Sequence, residues 1–372
     1  MHPRHIYVHV PFCARRCSYC DFAISVRRVV PTDAYVDALV REVEIRYPDG
    51  DQWVADTLYL GGGTPSLLGA EGIALLLDRL RGRVTLSPDA EVTLEANPDD
   101  VEVEAVRAWR EAGVNRLSVG AQSFDDRALA WMHRTHTASR IGTAIDAAHS
   151  GGIDNVSLDL IFALPEKLGR DWEADVLRAL SLHPTHISLY GLTIEPATPL
   201  GRWRERGEVT EAPEERYEAD FLRAHELLAL AGFEHYEVSN YARAGLRSRH
   251  NSSYWSHVPY AGIGPAAHSF DGASRRWNVP AYAAWARELA GGCDPIAGSE
   301  VLTRENLASE QVYLGLRTIE GLLLEPEMDR QVHAWVTAGW AFVDVERVRL
   351  TPAGWLRLDA LAASLTTAGS PS

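Results

Sequence analysis

Between residues 6 and 192, short runs alternate apolar and polar positions with a period of two, and longer runs with a helical period separate them. The short runs are 6–12, 57–60, 91–97, 116–123, 155–164 and 186–192. Successive side chains of a strand point to opposite faces, so these runs predict six strands. The runs at 33–47, 70–81, 101–112, 125–133, 139–150, 171–182 and 214–231 predict helices. In the first of these, Tyr35, Val36, Leu39, Val40 and Val43 share one face, and Thr32 stands where an N-cap would. Strand–helix alternation argues for parallel strands joined by right-handed crossovers. Six units fall short of the eight that close a barrel, so the expected fold class is α/β, a partial (β/α)6 barrel.

The two faces of the strands differ in chemistry. One carries Ile6, Val8, Val10, Val92, Leu94, Leu117, Val119, Val156, Leu158, Leu160, Ile187 and Leu189. The other carries Tyr7, His9, Thr57, Tyr59, Thr93, Glu95, Asn97, Ser118, Gln122, Ser157, Asp159, His186, Ser188 and Tyr190. A closed barrel fills its interior with branched apolar side chains. A polar inner face therefore implies an open barrel that holds a ligand. Sites in such folds form at the C-terminal ends of the strands. There the chain places a cysteine loop, the turn 61–66 with three successive glycines, and the strand ends 95–98 and 120–123.

From about residue 301 the pattern changes. Helices at 310–319 and 326–338, strands at 341–345 and 348–351, and a helix at 352–365 predict a small winged-helix-like α+β domain. It carries six arginines, no lysine and nine acidic residues, a poor surface for phosphate. The domain division expected is 1–233 for the partial barrel, 234–300 for a bridging segment and 301–372 for the C-terminal domain, with a disordered tail at 366–372. Net charge is −15 over the 372 residues, which argues against nucleic acid as a partner. No apolar run reaches the length of a membrane span and no leader precedes the first strand, so a cytoplasmic, not membrane-embedded protein is expected.

Of four cysteines, three are Cys13, Cys17 and Cys20, and the fourth, Cys293, reads as an incidental loop thiol. Thiolates are the usual ligands of iron–sulfur clusters. Three on one loop can hold three irons of a 4Fe–4S cube and leave the fourth iron open to an exchangeable ligand. A zinc site would need a fourth ligand, for which His9 is the nearby candidate. A disulfide fits poorly with an odd cluster of three.

The loop spacing is that of the radical S-adenosylmethionine (SAM) superfamily. Together with Gly-Gly-Gly-Thr-Pro at 61–65, Glu-Ala-Gly-Val-Asn-Arg-Leu-Ser-Val-Gly-Ala-Gln-Ser-Phe at 111–124 and Leu-Asp-Leu-Ile-Phe-Ala-Leu-Pro at 158–165, it resembles the oxygen-independent coproporphyrinogen III oxidase branch. The resemblance implies a radical-SAM barrel with Cys13, Cys17 and Cys20 on a 4Fe–4S cluster. It also implies Tyr7, Tyr19, Gly62, Gly63, Thr64, Glu95, Gln122, Arg134 and Asp159 around SAM. The dehydrogenase of that branch has another cysteine two places after the third, and an N-terminal extension; here that position is Phe22 and the first strand begins at Ile6. Instead, His250, Asn251, Tyr254 and Trp255 form His-Asn-x-x-Tyr-Trp, similar to the signature of the HemW subfamily of heme chaperones. Imidazole ligates heme iron and aromatic rings pack on a macrocycle. The implied ligands are the cluster, SAM and heme. The implied partners are a heme acceptor, such as a membrane respiratory protein, and an electron donor such as flavodoxin or ferredoxin. The alternatives are coproporphyrinogen III dehydrogenase and a radical SAM methyltransferase.

Overall fold

The computed structural model describes residues 2–48 and 53–366. Six strands, β1 (His5–Val10), β2 (Trp53–Gly62), β3 (Val84–Ala96), β4 (Arg116–Gln122), β5 (Val156–Phe162) and β6 (His186–Gly191), run parallel in sequence order. Helices α1 (Thr32–Arg46), α2 (Gly69–Arg81), α3 (Val103–Glu111), α4 (Asp126–Trp131), α5 (Ala138–Ser150) and α6 (Trp172–Leu180) fill the crossovers. The apolar face of the strands packs with these helices into one continuous core. Each fully buried aliphatic side chain there contributes about 1.5–3 kcal/mol.

The pattern misplaces several ends for identifiable reasons. Strand β1 stops at Val10 because Pro11 offers no N–H, and Phe12–Cys13 instead pairs with Ser25–Val26. Strands β2 and β3 begin earlier than expected, since Trp53–Ala55 pairs with Val84–Leu86 across an irregularity near Asp56. Ser87 and Pro88 lie within β3. Thr32 is not an N-cap: it is the first helical residue, Pro31 precedes it, and no side chain caps the end. Asp125 does cap α4, accepting from the Arg127 and Ala128 N–H groups at 2.8 and 3.0 Å.

The segment 234–300 does more than bridge. It supplies β7 (Glu234–Glu237), β8 (Asn240–Ala242), β9 (Tyr260–Ile263), β10 (His268–Phe270), β11 (Ser274–Asn278) and β12 (Ile296–Val301), extending the sheet at both edges. The twelve strands run in the order β12-β11-β10-β9-β1-β2-β3-β4-β5-β6-β8-β7, with β9 parallel to β1 and β8 antiparallel to β6. A buried carboxylate ties this addition to the barrel. Glu42 on α1 is fully buried and accepts from Arg46 at 2.7 Å, Asn278 at 2.6 Å, the Trp285 indole at 2.8 Å and the Gly264 N–H at 2.9 Å.

The C-terminal part has winged-helix order. Helices Arg304–Arg317 and Asp329–Thr337 flank Leu322–Leu323, which joins Arg347–Leu350 and Ala341–Asp344 in a three-stranded sheet. Two short helices, Pro352–Trp355 and Leu358–Thr366, replace the single one expected. Arg317 pairs with the buried Glu237 at 2.9 Å, fixing this part to β7. Of the expected disordered tail, Thr366 instead ends the last helix, and 367–372 lie outside the described residues. Among the described residues no helix is long and apolar enough to cross a membrane.

Candidate functional site

The cysteine loop is closed by the two-residue ladder of Phe12–Cys13 with Ser25–Val26. It is pinned at its middle, where the Ser18 N–H donates to Met132 O at 3.1 Å and Ser18 O accepts from the Leu200 N–H at 2.9 Å. His9 reaches it from β1: its Nε2 donates to Ala23 O at 3.0 Å, so its Nδ1 accepts from the Tyr7 hydroxyl at 3.2 Å. Both ring nitrogens are engaged, which removes His9 as a fourth zinc ligand in this arrangement. Cys13, Cys17 and Cys20 are free thiols facing one cavity of about 610 Å³. Among the described residues no three His, Cys, Asp or Glu side chains converge as on a single metal ion.

The glycine turn after β2 presses against this loop. The Gly63 N–H donates to Val10 O and the Thr64 N–H to Phe12 O, both at 2.8 Å. A Cβ on Gly63 would stand 2.7 Å from Phe12 O and 3.0 Å from Cys13 Sγ, so only glycine allows the approach. Gly62 has φ +114° and donates its N–H to Glu95 Oε2 at 3.0 Å. The Tyr59 hydroxyl donates to the other Glu95 oxygen at 2.8 Å. Burial pushes Glu95 up to about 7 despite these donors, with Asp159 adding to the rise. A cation beside it would draw the carboxylate back to its charged form.

Gly62, Gly63, Thr64, Glu95, Gln122, Arg134, Asp159 and Tyr19 line the same cavity as the cysteines. Gln122 ends β4 in the left-handed region, φ 68°, which is uncommon outside glycine. Arg134 donates to Asn97 Oδ1 at 2.6 Å, Gly120 O at 2.9 Å and Cys17 Sγ at 3.4 Å, and its Nε is buried without a partner. Asp159 accepts from Ser118 at 3.1 Å and Ser157 at 3.4 Å. Burial raises its carboxyl above the usual range. Asn97, Ser118 and Tyr190 were not expected as site residues, yet they also line the cavity. Ser118 and Tyr190 sit on the polar strand face and Asn97 directly follows the end of β3, which was the signal that could have found them. Sulfur donors, a glycine cradle that a Cβ would fill and an unpartnered guanidinium nitrogen suit a cluster with a zwitterionic ligand beside it.

Tyr7 stands apart from the others. It lines a second cavity of about 520 Å³, together with Tyr254, Trp255, His257, His268 and Phe270. Phe22 and Gly62 line both cavities and so form a common wall. Of the His-Asn-x-x-Tyr-Trp stretch, only Tyr254 and Trp255 reach this space. The stretch forms the short helix Arg249–Trp255, capped by Ser248, which accepts from the Asn251 N–H. His250 lies behind the wall, 1% exposed, with Nδ1 bonded to Thr57 Oγ1 at 2.7 Å and Nε2 to the Tyr254 hydroxyl at 2.8 Å. Burial pushes it down to about 3, keeping it neutral. In this arrangement His250 orients Tyr254 and has no nitrogen to offer iron. The Trp255 indole lies under Arg317, 4.0 Å from ring centroid to guanidinium carbon.

Residues 7–179 match the model of the Radical SAM superfamily. Heme chaperone HemW of Mycobacterium tuberculosis is 39% identical over 375 residues, covering 98% of this chain and 95% of that protein. Heme chaperone HemW of Synechocystis sp. is 40% identical over 336 residues, covering 86% of this chain and 79% of that protein. The solved structure of coproporphyrinogen III oxidase (HemN) from Escherichia coli superposes with a TM-score of 0.82 at 22% identity, covering 98% of this chain and 90% of that one; the two share a fold. With identity sustained over nearly the full length of both proteins, the chain belongs to the HemW family of the radical SAM superfamily.

Proposed function

We propose that this protein is a heme chaperone that holds a 4Fe–4S cluster and SAM, binds heme and passes it to an acceptor protein. The observation that carries the reading is a pair of cavities with a common wall. One is lined by Cys13, Cys17 and Cys20, the other by Tyr254 and Trp255 of the His-Asn-x-x-Tyr-Trp stretch. The likeness to proteins named heme chaperone, over nearly the whole chain, supports it.

When bound, the cluster and SAM supply one-electron chemistry, fed by a donor such as flavodoxin or ferredoxin. The chain's own residues hold the guests. Cys13, Cys17 and Cys20 supply thiolates for three irons. Glu95, fixed by Tyr59 and Gly62, would accept from an ammonium group. Arg134, already turned toward Cys17, suits a carboxylate. Asp159 and Gln122 suit ribose hydroxyls. Phe22 occupies the place where the dehydrogenase of the branch carries a cysteine, which is why porphyrinogen oxidation is not assigned.

Anaerobic reconstitution tests the reading. The protein should take up about four irons and four sulfides, and Cys17→Ala should lose them while Cys293→Ala does not. Heme-loaded protein should transfer heme to a heme-free cytochrome, followed in the Soret band. Full cluster retention in Cys17→Ala would overturn the cluster assignment. Absence of heme binding, or efficient turnover of coproporphyrinogen III, would overturn the chaperone.

A further inference from the structure

We propose that the second cavity is the seat of the porphyrin and that His268 on β10 supplies an axial ligand to its iron; this rests on the heme-chaperone reading. The space, about 520 Å³, lies within the ~300–1,000 Å³ typical of cofactor pockets. Its walls are aromatic: Tyr254, Trp255, Tyr260 and Phe270 line it, with no carboxylate among the lining residues. Such walls accept a flat macrocycle by stacking and edge contacts. Arg275 is the single permanent cation on the wall, suited to a propionate, although it already forks onto Glu310 at 2.6 and 2.7 Å.

The choice of ligand follows from what each imidazole already does. His250 and His9 have both ring nitrogens hydrogen-bonded. His257 gives Nε2 to Glu310 at 3.0 Å, and its ring lies flat on Phe270 with centroids 4.7 Å apart. His186 is fully buried between Ser157 and Tyr236, away from this space. His268 is different. It is exposed, lines the cavity, and its ring makes no hydrogen bond in the structure. Strand alternation puts His268 and Phe270 on one face of β10. Ser269, between them, points to the other side and accepts from the Gly262 N–H at 2.9 Å. The His268 ring stacks on Trp277, its partner across the ladder, with centroids 5.8 Å apart. That contact sets the plane of a ring whose nitrogens are still available. Partial burial and Arg275 lower its pKa, so the neutral, ligating form prevails at neutral pH.

The test is a hemin titration of cluster-reconstituted full-length protein, read in the Soret band and by electron paramagnetic resonance of the heme iron. His268→Ala should weaken hemin binding by about tenfold or more, since even residues that only support a metal ligand cost ~10–100-fold when replaced. Its spin state should change, and imidazole in solution should restore the wild-type spectrum. His268→Met, which keeps an axial donor, should give a Soret band unlike both. Iron and sulfide contents should match wild type in both variants, showing an intact fold. If the wild type takes up hemin and His268→Ala shows the same affinity and spectrum, the seat is wrong and the chaperone reading survives. If the wild type takes up no hemin, that reading fails and this inference falls with it.

Discussion

Burial decides the charge of single groups in this molecule, and in opposite directions for acids and bases. Desolvation, with Arg134 adding to it, pushes His136 down to about 4. His186, His235 and His250 are lowered by the same cause. An unfolded histidine takes a proton near pH 6.5, whereas His136 in the fold resists until about 4. Its contribution to stability is therefore complete above about pH 6.5 and is lost as pH falls toward the folded value, at up to ~1.4 kcal/mol per pH unit. Glu95, raised by burial, titrates in the opposite sense and blurs the profile of the whole protein. The clean measurement is a difference. The stability gap between wild type and His136→Gln, from urea unfolding, should narrow steadily from pH 7 to pH 4. A gap independent of pH would show that His136 titrates normally in the fold.

At the scale of elements, the glycine turn after β2 sets the position of the cysteine loop. In Gly63→Ala the new methyl would meet backbone atoms of Pro11 and Phe12, which cannot swing aside as a side chain can. Overpacking of this kind costs about 1–3 kcal/mol. The expected result is a folded protein by circular dichroism that reconstitutes far less iron than wild type. Wild-type iron content would show that the loop can move independently of the turn. Elements of this kind were legible in sequence because their signals are local. Period two separated Val8 and Val10 from Tyr7 and His9, and the cysteine spacing marked the loop. The strands of 234–300 were not legible, because short strands such as Asn240–Ala242 and Tyr260–Ile263 join the sheet against β6 and β1, partners far along the chain. For the same reason, residue type placed His250 in a heme-related motif without showing how its ring is enclosed. One of its ring nitrogens is held by Thr57, which lies on a distant strand, and the other by the Tyr254 hydroxyl. The third strand of the wing, Leu322–Leu323, is too short to carry any period.

For the whole molecule, Glu42 joins parts that sequence places far apart. Arg46 and Asn278 donate to one of its oxygens, and the Trp285 indole and the Gly264 N–H donate to the other. In Glu42→Gln the amide NH2 would face two donors whichever way it turns, and Arg46, 4% exposed in its side chain, would lose its counter-charge. Removing one partner of a buried pair costs about 3–5 kcal/mol. Denaturant unfolding should show that loss; a change within ~0.5 kcal/mol would mean that the added strands do not depend on this carboxylate. The wall of Phe22 and Gly62 between the two cavities has a further consequence. Two guests separated only by that partition belong to one thermodynamic cycle, and linkage is reciprocal. Under the proposed function, whatever factor SAM imposes on the affinity for heme, heme must impose on the affinity for SAM. A delivery protein whose cargo is loosened by one small molecule is, by the same arithmetic, a protein whose loaded state sheds that small molecule.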